Sequence, residues 1–82
     1  MVAKAHPVNA EYEDKAKNLL KAELKRRRVT YSQLAERLTA MGVLENERNL
    51  NNKISRGGFT AAFLLQCMSA IEAHTVHLHE VD

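Results

Sequence analysis

The residues best suited to chemistry lie in one short stretch: Arg48, Asn49, Asn52, Lys53 and Arg56. An asparagine amide can pair with an adenine edge through two hydrogen bonds, and arginine or lysine can do the same for guanine. Asn49, Asn52 and Lys53 are therefore candidates for reading bases. Arg48 and Arg56 are candidates for holding phosphates. Arg28, Thr30 and Gln33 form a second candidate set for phosphate, at the start of another helical segment, where free backbone N–H groups favour an anion. The plainer reading is a solvated helix face, because asparagine lowers helix propensity and can simply mark a frayed segment. Glu45 and Glu47 also bring negative charge close to the proposed surface.

Charge is unevenly spread. The net charge of +2 divides into +4 over residues 1–40 and −2 over residues 41–82. The densest cluster is Lys25-Arg26-Arg27-Arg28. Such a cluster attracts nucleic acid through phosphate contacts and counterion release. It would equally suit the last turn of a helix, where cations oppose the negative end of the macrodipole.

Other combinations are weaker. His74, His77 and His79 with Glu80 have ligand-like types, and imidazole suits zinc or nickel, but solvated tail histidines are the commoner case. The tail could instead make a dimer pH-sensitive, because an unperturbed histidine titrates near pH 6.5. Cys67 is the only cysteine, so no internal disulfide forms, and its apolar neighbours suggest a buried, inert thiol. No catalytic acid–base pair and no phosphate-cradling glycine loop is visible. Neither enzymatic activity nor a cofactor or metal is expected.

These side chains need elements to position them. A chain of 82 residues, 45% hydrophobic, makes one domain. At this size roughly 60–65% of the unfolded surface is buried, so a second copy would help stability. No run of about 18 apolar residues suggests a membrane span. Met1–Ala10 has no apolar signal core, and a cytoplasmic location is expected. The spacing predicts four helices. The first is capped by Asn9 and runs to about Arg28, with Tyr12, Ala16, Leu19, Leu20 and Leu24 on one face. Thr30-Tyr31-Ser32-Gln33 fits a capping box for the second, which runs to about Met41 and stops at Gly42. Its apolar face is Tyr31, Leu34, Ala35, Leu38 and Met41. Glu45 or Asn46 caps the third, whose apolar stripe is only Leu50 and Ile54; it ends before Gly57-Gly58. Thr60 caps the fourth, Ala61 to Ala73, with Phe59 placed to staple onto Leu64. This helix is apolar nearly all round, which suggests burial on two sides, one by another subunit. Residues 74–82 alternate as a short strand would.

The order helix, turn, polar helix, apolar helix resembles the lambda-repressor-like, Cro-type helix-turn-helix domains. The matching residues are Leu34-Ala35 with Leu38, then Gly42-Val43, then Ile54-Ser55-Arg56-Gly57, with Phe59 to Ile71 as the following helix. The stretch from Leu34 to Gly57 is longer here than is usual in that family, with extra residues in 39–41 and 44–47. The layout over residues 31–71 is also similar to small bacterial proteins grouped only as a family of unknown function. The resemblance implies an all-α, four-helix lambda-repressor-like domain with a short strand-like C-terminal tail. The expected division is an extended segment over residues 1–8, the helix-turn-helix domain over 9–73, and a tail over 74–82 serving as a dimerisation strand. It further implies sequence-specific binding of double-stranded DNA by a homodimeric bacterial transcriptional regulator, with no membrane or small-molecule partner. The expected dimer interface is Phe63, Cys67, Val76 and Leu78. The rival reading is a protein-interaction module that keeps the fold without touching DNA.

Overall fold

A computed structural model of the chain describes residues 7–76 and 78. Its element order is α1 (Pro7–Arg26), α2 (Tyr31–Ala40), α3 (Glu47–Arg56) and α4 (Ala61–Ala70). The caps explain where the helices begin. Thr30 Oγ1 accepts the Gln33 N–H at 3.1 Å, and the Thr30 N–H donates to Gln33 Oε1 at 2.9 Å, closing the expected box. Asn46 Oδ1 accepts from the Asn49 N–H at 2.8 Å and starts α3. Thr60 Oγ1 accepts from the Phe63 N–H at 3.0 Å and starts α4. α1 begins earlier than Asn9. Proline's fixed φ suits a first helical position, where its missing N–H costs nothing, so Pro7 and Val8 join the helix rather than an extended segment.

Three of the four helix ends share one device. Val29 N–H reaches Leu24 O at 2.9 Å and Arg28 N–H reaches Lys25 O at 3.1 Å, a Schellman closure of α1. The same pair of bonds closes α2 through Val43 and Gly42, and α4 through Ala73 and Glu72. Each closure needs a left-handed residue. Gly42 meets this need freely at φ 94°, but Arg28 and Glu72 are held at φ 57° and 59°. This is why the first and fourth helices stop before Arg28 and Ala73. A left-handed L-residue costs roughly 1–2 kcal/mol, partly offset by glycine's greater freedom when unfolded. Glu72→Gly is therefore expected to stabilise the fold by about 1 kcal/mol and raise Tm by about 4–8 °C in thermal melting. An unchanged or lower Tm would show that the turn is unstrained.

α3 and α4 each pack against both α1 and α2. The core centres on Leu20, Leu34, Leu38, Leu50, Ile54 and Cys67, all fully buried. Glu23 is the one buried charge among the described residues, at 3% exposure. It accepts from Arg26 Nη1 at 2.8 Å and Arg27 Nε at 3.2 Å, and Arg27 Nη1 also donates to Ile71 O at 3.3 Å, joining the ends of α1 and α4. Gly57 (φ 73°, ψ −169°) turns the chain from α3 toward α4 in a conformation open essentially to glycine alone, with its backbone against Glu13 of α1. The ring of Phe59 meets Phe63 at 5.3 Å.

No strand is present among the described residues, so the strand-like tail is not found at Thr75, Val76 or Leu78. One alternating segment has no partner edge to bond to and does not persist as a strand. The remainder of that expectation, at His77 and residues 79–82, lies outside the described residues, as do residues 1–6. No described helix is long and apolar enough to cross a membrane.

Candidate nucleic-acid interface

Leu50 and Ile54, one turn apart, are fully buried and fix the rotation of α3. At about 100° per residue, the opposite side then carries Arg48, Asn52 and Arg56 in line at successive turns, with Asn49 beside them. All four are exposed. Asn49 uses its backbone N–H on the Asn46 cap, which leaves its side-chain amide free. Among the described residues the side chains of Arg48, Asn49, Asn52 and Arg56 have no hydrogen-bond or ion-pair partner, and no acid interrupts their row. Asn51 is engaged differently, since Oδ1 accepts from Ser55 Oγ at 3.1 Å. Even so, Asn51 shares a concave surface with Arg48, Asn46 and Glu47. Sequence reasoning passed over it, although its i,i+3 spacing from Arg48 placed it on that side.

Lys53, expected to read bases, is engaged within the chain. Its Nζ lies 2.6 Å from Glu45 Oε2 and 4.8 Å from the centroid of the Phe63 ring. The Glu45 side chain is only 7% exposed, so Lys53 neutralises a carboxylate set into the fold. The negative charge feared at Glu45 is thus answered locally. Glu47 has no such partner among the described residues; together with Glu45, Ser32, Glu36 and Thr39 it lines a groove between α2 and the start of α3. This acidic groove flanks the row of Arg48, Asn52 and Arg56 rather than interrupting it.

Arg28, Thr30 and Gln33 are all exposed and lie at the junction of α1 and α2. Thr30 and Gln33 are occupied with each other, but the Thr30 hydroxyl hydrogen and the Gln33 amide hydrogens remain available. No hydrogen bond or ion pair joins this group to Arg48 or Arg56.

The expected dimer residues also divide. Phe63 and Cys67, at 6% and 0% exposure, belong to the chain's own core and have no surface left for a second copy. Val76 and Leu78 are exposed, and α4 presents Leu65 to solvent instead. Burial, with a smaller contribution from Glu45, pushes the Cys67 thiol up to about 12, while Lys53 pulls it back slightly. It is a protonated, enclosed thiol and a poor nucleophile. Among the described residues no group of histidine, cysteine and carboxylate side chains could hold a metal ion; His77, His79 and Glu80 lie outside them.

No curated protein and no solved structure matches the chain. A family model does, over residues 12–76, which takes in all of α2, α3 and α4 and most of α1. The chain therefore belongs to the family described as Domain of unknown function (DUF6471).

Proposed function

We propose that the chain binds duplex DNA sequence-specifically, with α2 and α3 acting as a lambda-repressor-like helix-turn-helix. In this reading it works in the bacterial cytoplasm as a small transcriptional regulator. One observation carries the reading: the outward side of α3 presents Arg48, Asn49, Asn52 and Arg56 without an acid among them and without partners among the described residues. Asn49 and Asn52 read bases, and Arg48 and Arg56 hold the flanking phosphates. Arg28, Thr30 and Gln33 add backbone contacts. A homodimer would present two copies of α3 to half-sites about one DNA turn apart. Exposed Leu65 and Val76 offer apolar surface for a second copy to cover.

The test is binding to random duplex at low salt, followed by selection of a preferred sequence. Asn52→Ala is expected to weaken the selected site by about 1–3 kcal/mol while changing random-sequence binding little. Absence of any duplex binding by the parent at low salt would overturn the reading. It would favour a protein-interaction module, for which exposed Tyr12 and Leu65 supply apolar contact.

A further inference from the structure

The run Lys25-Arg26-Arg27-Arg28 looks uniform in sequence, but the fold divides it. Arg26 and Arg27 turn to the buried Glu23 carboxylate. Lys25 instead lines a groove with Lys21, Leu24, Val29, Thr30 and Tyr31. Arg28, which precedes the groove residue Val29 in the chain, occupies the left-handed turn that closes α1. Lys21, Lys25 and Arg28 are exposed, and among the described residues none has an ion-pair partner. Among the described residues no carboxylate lines the groove. The nearest acid on the same helix, Glu23, is buried and already holds two guanidiniums. The two lysines of the groove and the arginine that precedes Val29 in the chain thus carry charge that no described residue pairs, on a chain whose whole net charge is only +2.

We infer that this groove is a second, sequence-independent contact with nucleic acid, in which Lys21 and Lys25 grip a phosphodiester backbone beside Arg28. The inference rests on the duplex-DNA reading of α3 and extends it to α1. Lys21 and Lys25 stand one helical turn apart, about 6 Å along the axis. Duplex DNA carries one charge per ~1.7 Å of its axis, so both ammonium groups fall on the same few phosphates. The site is open and its donors are mobile lysines. That suits a repeating polyanion held by several weak contacts better than a single enclosed phosphate. The apolar floor of Leu24 and Val29 lets the lysine stems lie flat while their heads reach out.

The experiment compares the parent with the double variant Lys21→Gln, Lys25→Gln. Both positions are exposed on the helix, and glutamine is a good helix former, so folding is retained and is checked by melting. Random-sequence duplex is titrated across a salt series, and the sequence selected by the parent is titrated beside it. Each phosphate contact contributes about 0.9 to the log–log salt slope, or roughly eightfold in affinity at 0.1 M salt. The double variant is expected to lose about two from the slope and roughly 10- to 60-fold in affinity at that salt. Its preference for the selected over the random duplex should stay within about twofold of the parent's, because phosphate contacts carry no sequence information. If the parent binds its selected duplex and the slope of the double variant is unchanged, the groove is not a backbone contact, while the α3 reading survives. A changed preference would make the lysines base readers and overturn the inference. A parent that binds no duplex overturns both readings. Vesicles containing anionic phospholipid are titrated in parallel: binding to them without duplex binding, lost in the double variant, would assign the groove to a membrane surface instead.

Discussion

The double variant Arg26→Ala, Arg27→Ala is expected to lose about 3 kcal/mol of stability, with Tm falling by roughly 12–24 °C. The cause is the carboxylate left behind. Glu23 lies in the core at 3% exposure, and these two guanidiniums are its ion-pair partners among the described residues. Removing one side of a buried pair costs about 3–5 kcal/mol, because the remaining charge is neither solvated nor matched. The lower end applies here, since the arginine side chains are 47% and 38% exposed and solvent weakens their attraction. Arg27 adds its hydrogen bond to Ile71 O, the link between the ends of α1 and α4. A domain of this length holds about 4–12 kcal/mol in total, so the loss is a large fraction. Adding Glu23→Met to the double variant should recover most of it, because an apolar side chain of similar length fills the same space without a charge. A double variant that melts within about 3 °C of the parent would show that Glu23 does not depend on its arginines. A triple variant that recovers nothing would place the cost in the cations at the helix end rather than in the stranded carboxylate.

What was legible in the sequence was local. Thr30 and Gln33 are three residues apart, so their reciprocal bonds follow from spacing and side-chain type alone. Asn46 and Thr60 are legible as caps for the same reason. Leu50 and Ile54 fix one face of α3 by periodicity, and the opposite face follows from them. The errors arose where a side chain's partner is remote or its conformation unusual. Arg28 and Glu72 end helices in a left-handed conformation without glycine, which removes the residue signal that made the stop at Gly42 readable. The apolar circumference of α4 suggested a second subunit over Phe63 and Cys67. Packing against both α1 and α2 already buries those two residues within one chain. Which cations of the basic run are committed depended on Glu23, whose burial is a tertiary fact. The division of labour among the charges, more than the elements that carry them, required the structure.

Lys53→Ala provides the sharpest contrast between a structural and a recognising charge. It is expected to destabilise the fold by about 2–3 kcal/mol, which is seen as a lower urea midpoint. Glu45 would keep a carboxylate at 7% side-chain exposure with its 2.6 Å partner gone, and the Phe63 ring would lose the ammonium 4.8 Å from its centroid. Such a variant would bind DNA poorly simply because less of it is folded, which imitates the loss of a base contact. Removing both charges separates the two cases. Glu45→Met with Lys53→Met leaves no stranded ion and should regain most of the stability, since an apolar replacement of a buried pair is often neutral. With folding restored, the paired variant should bind the selected duplex within about threefold of the parent, whereas Asn52→Ala should lose roughly 5- to 150-fold, the equivalent of 1–3 kcal/mol. A paired variant that is stable yet loses tenfold or more in selected-site affinity would return Lys53 to the base-reading set. It would also mean that the ammonium leaves Glu45 when DNA arrives, so that part of the binding energy is spent on breaking a contact of the free protein. The salt bridge at 2.6 Å, with its carboxylate side largely shielded from water, argues against that exchange: the lysine would have to abandon a nearly buried anion for a solvated groove edge.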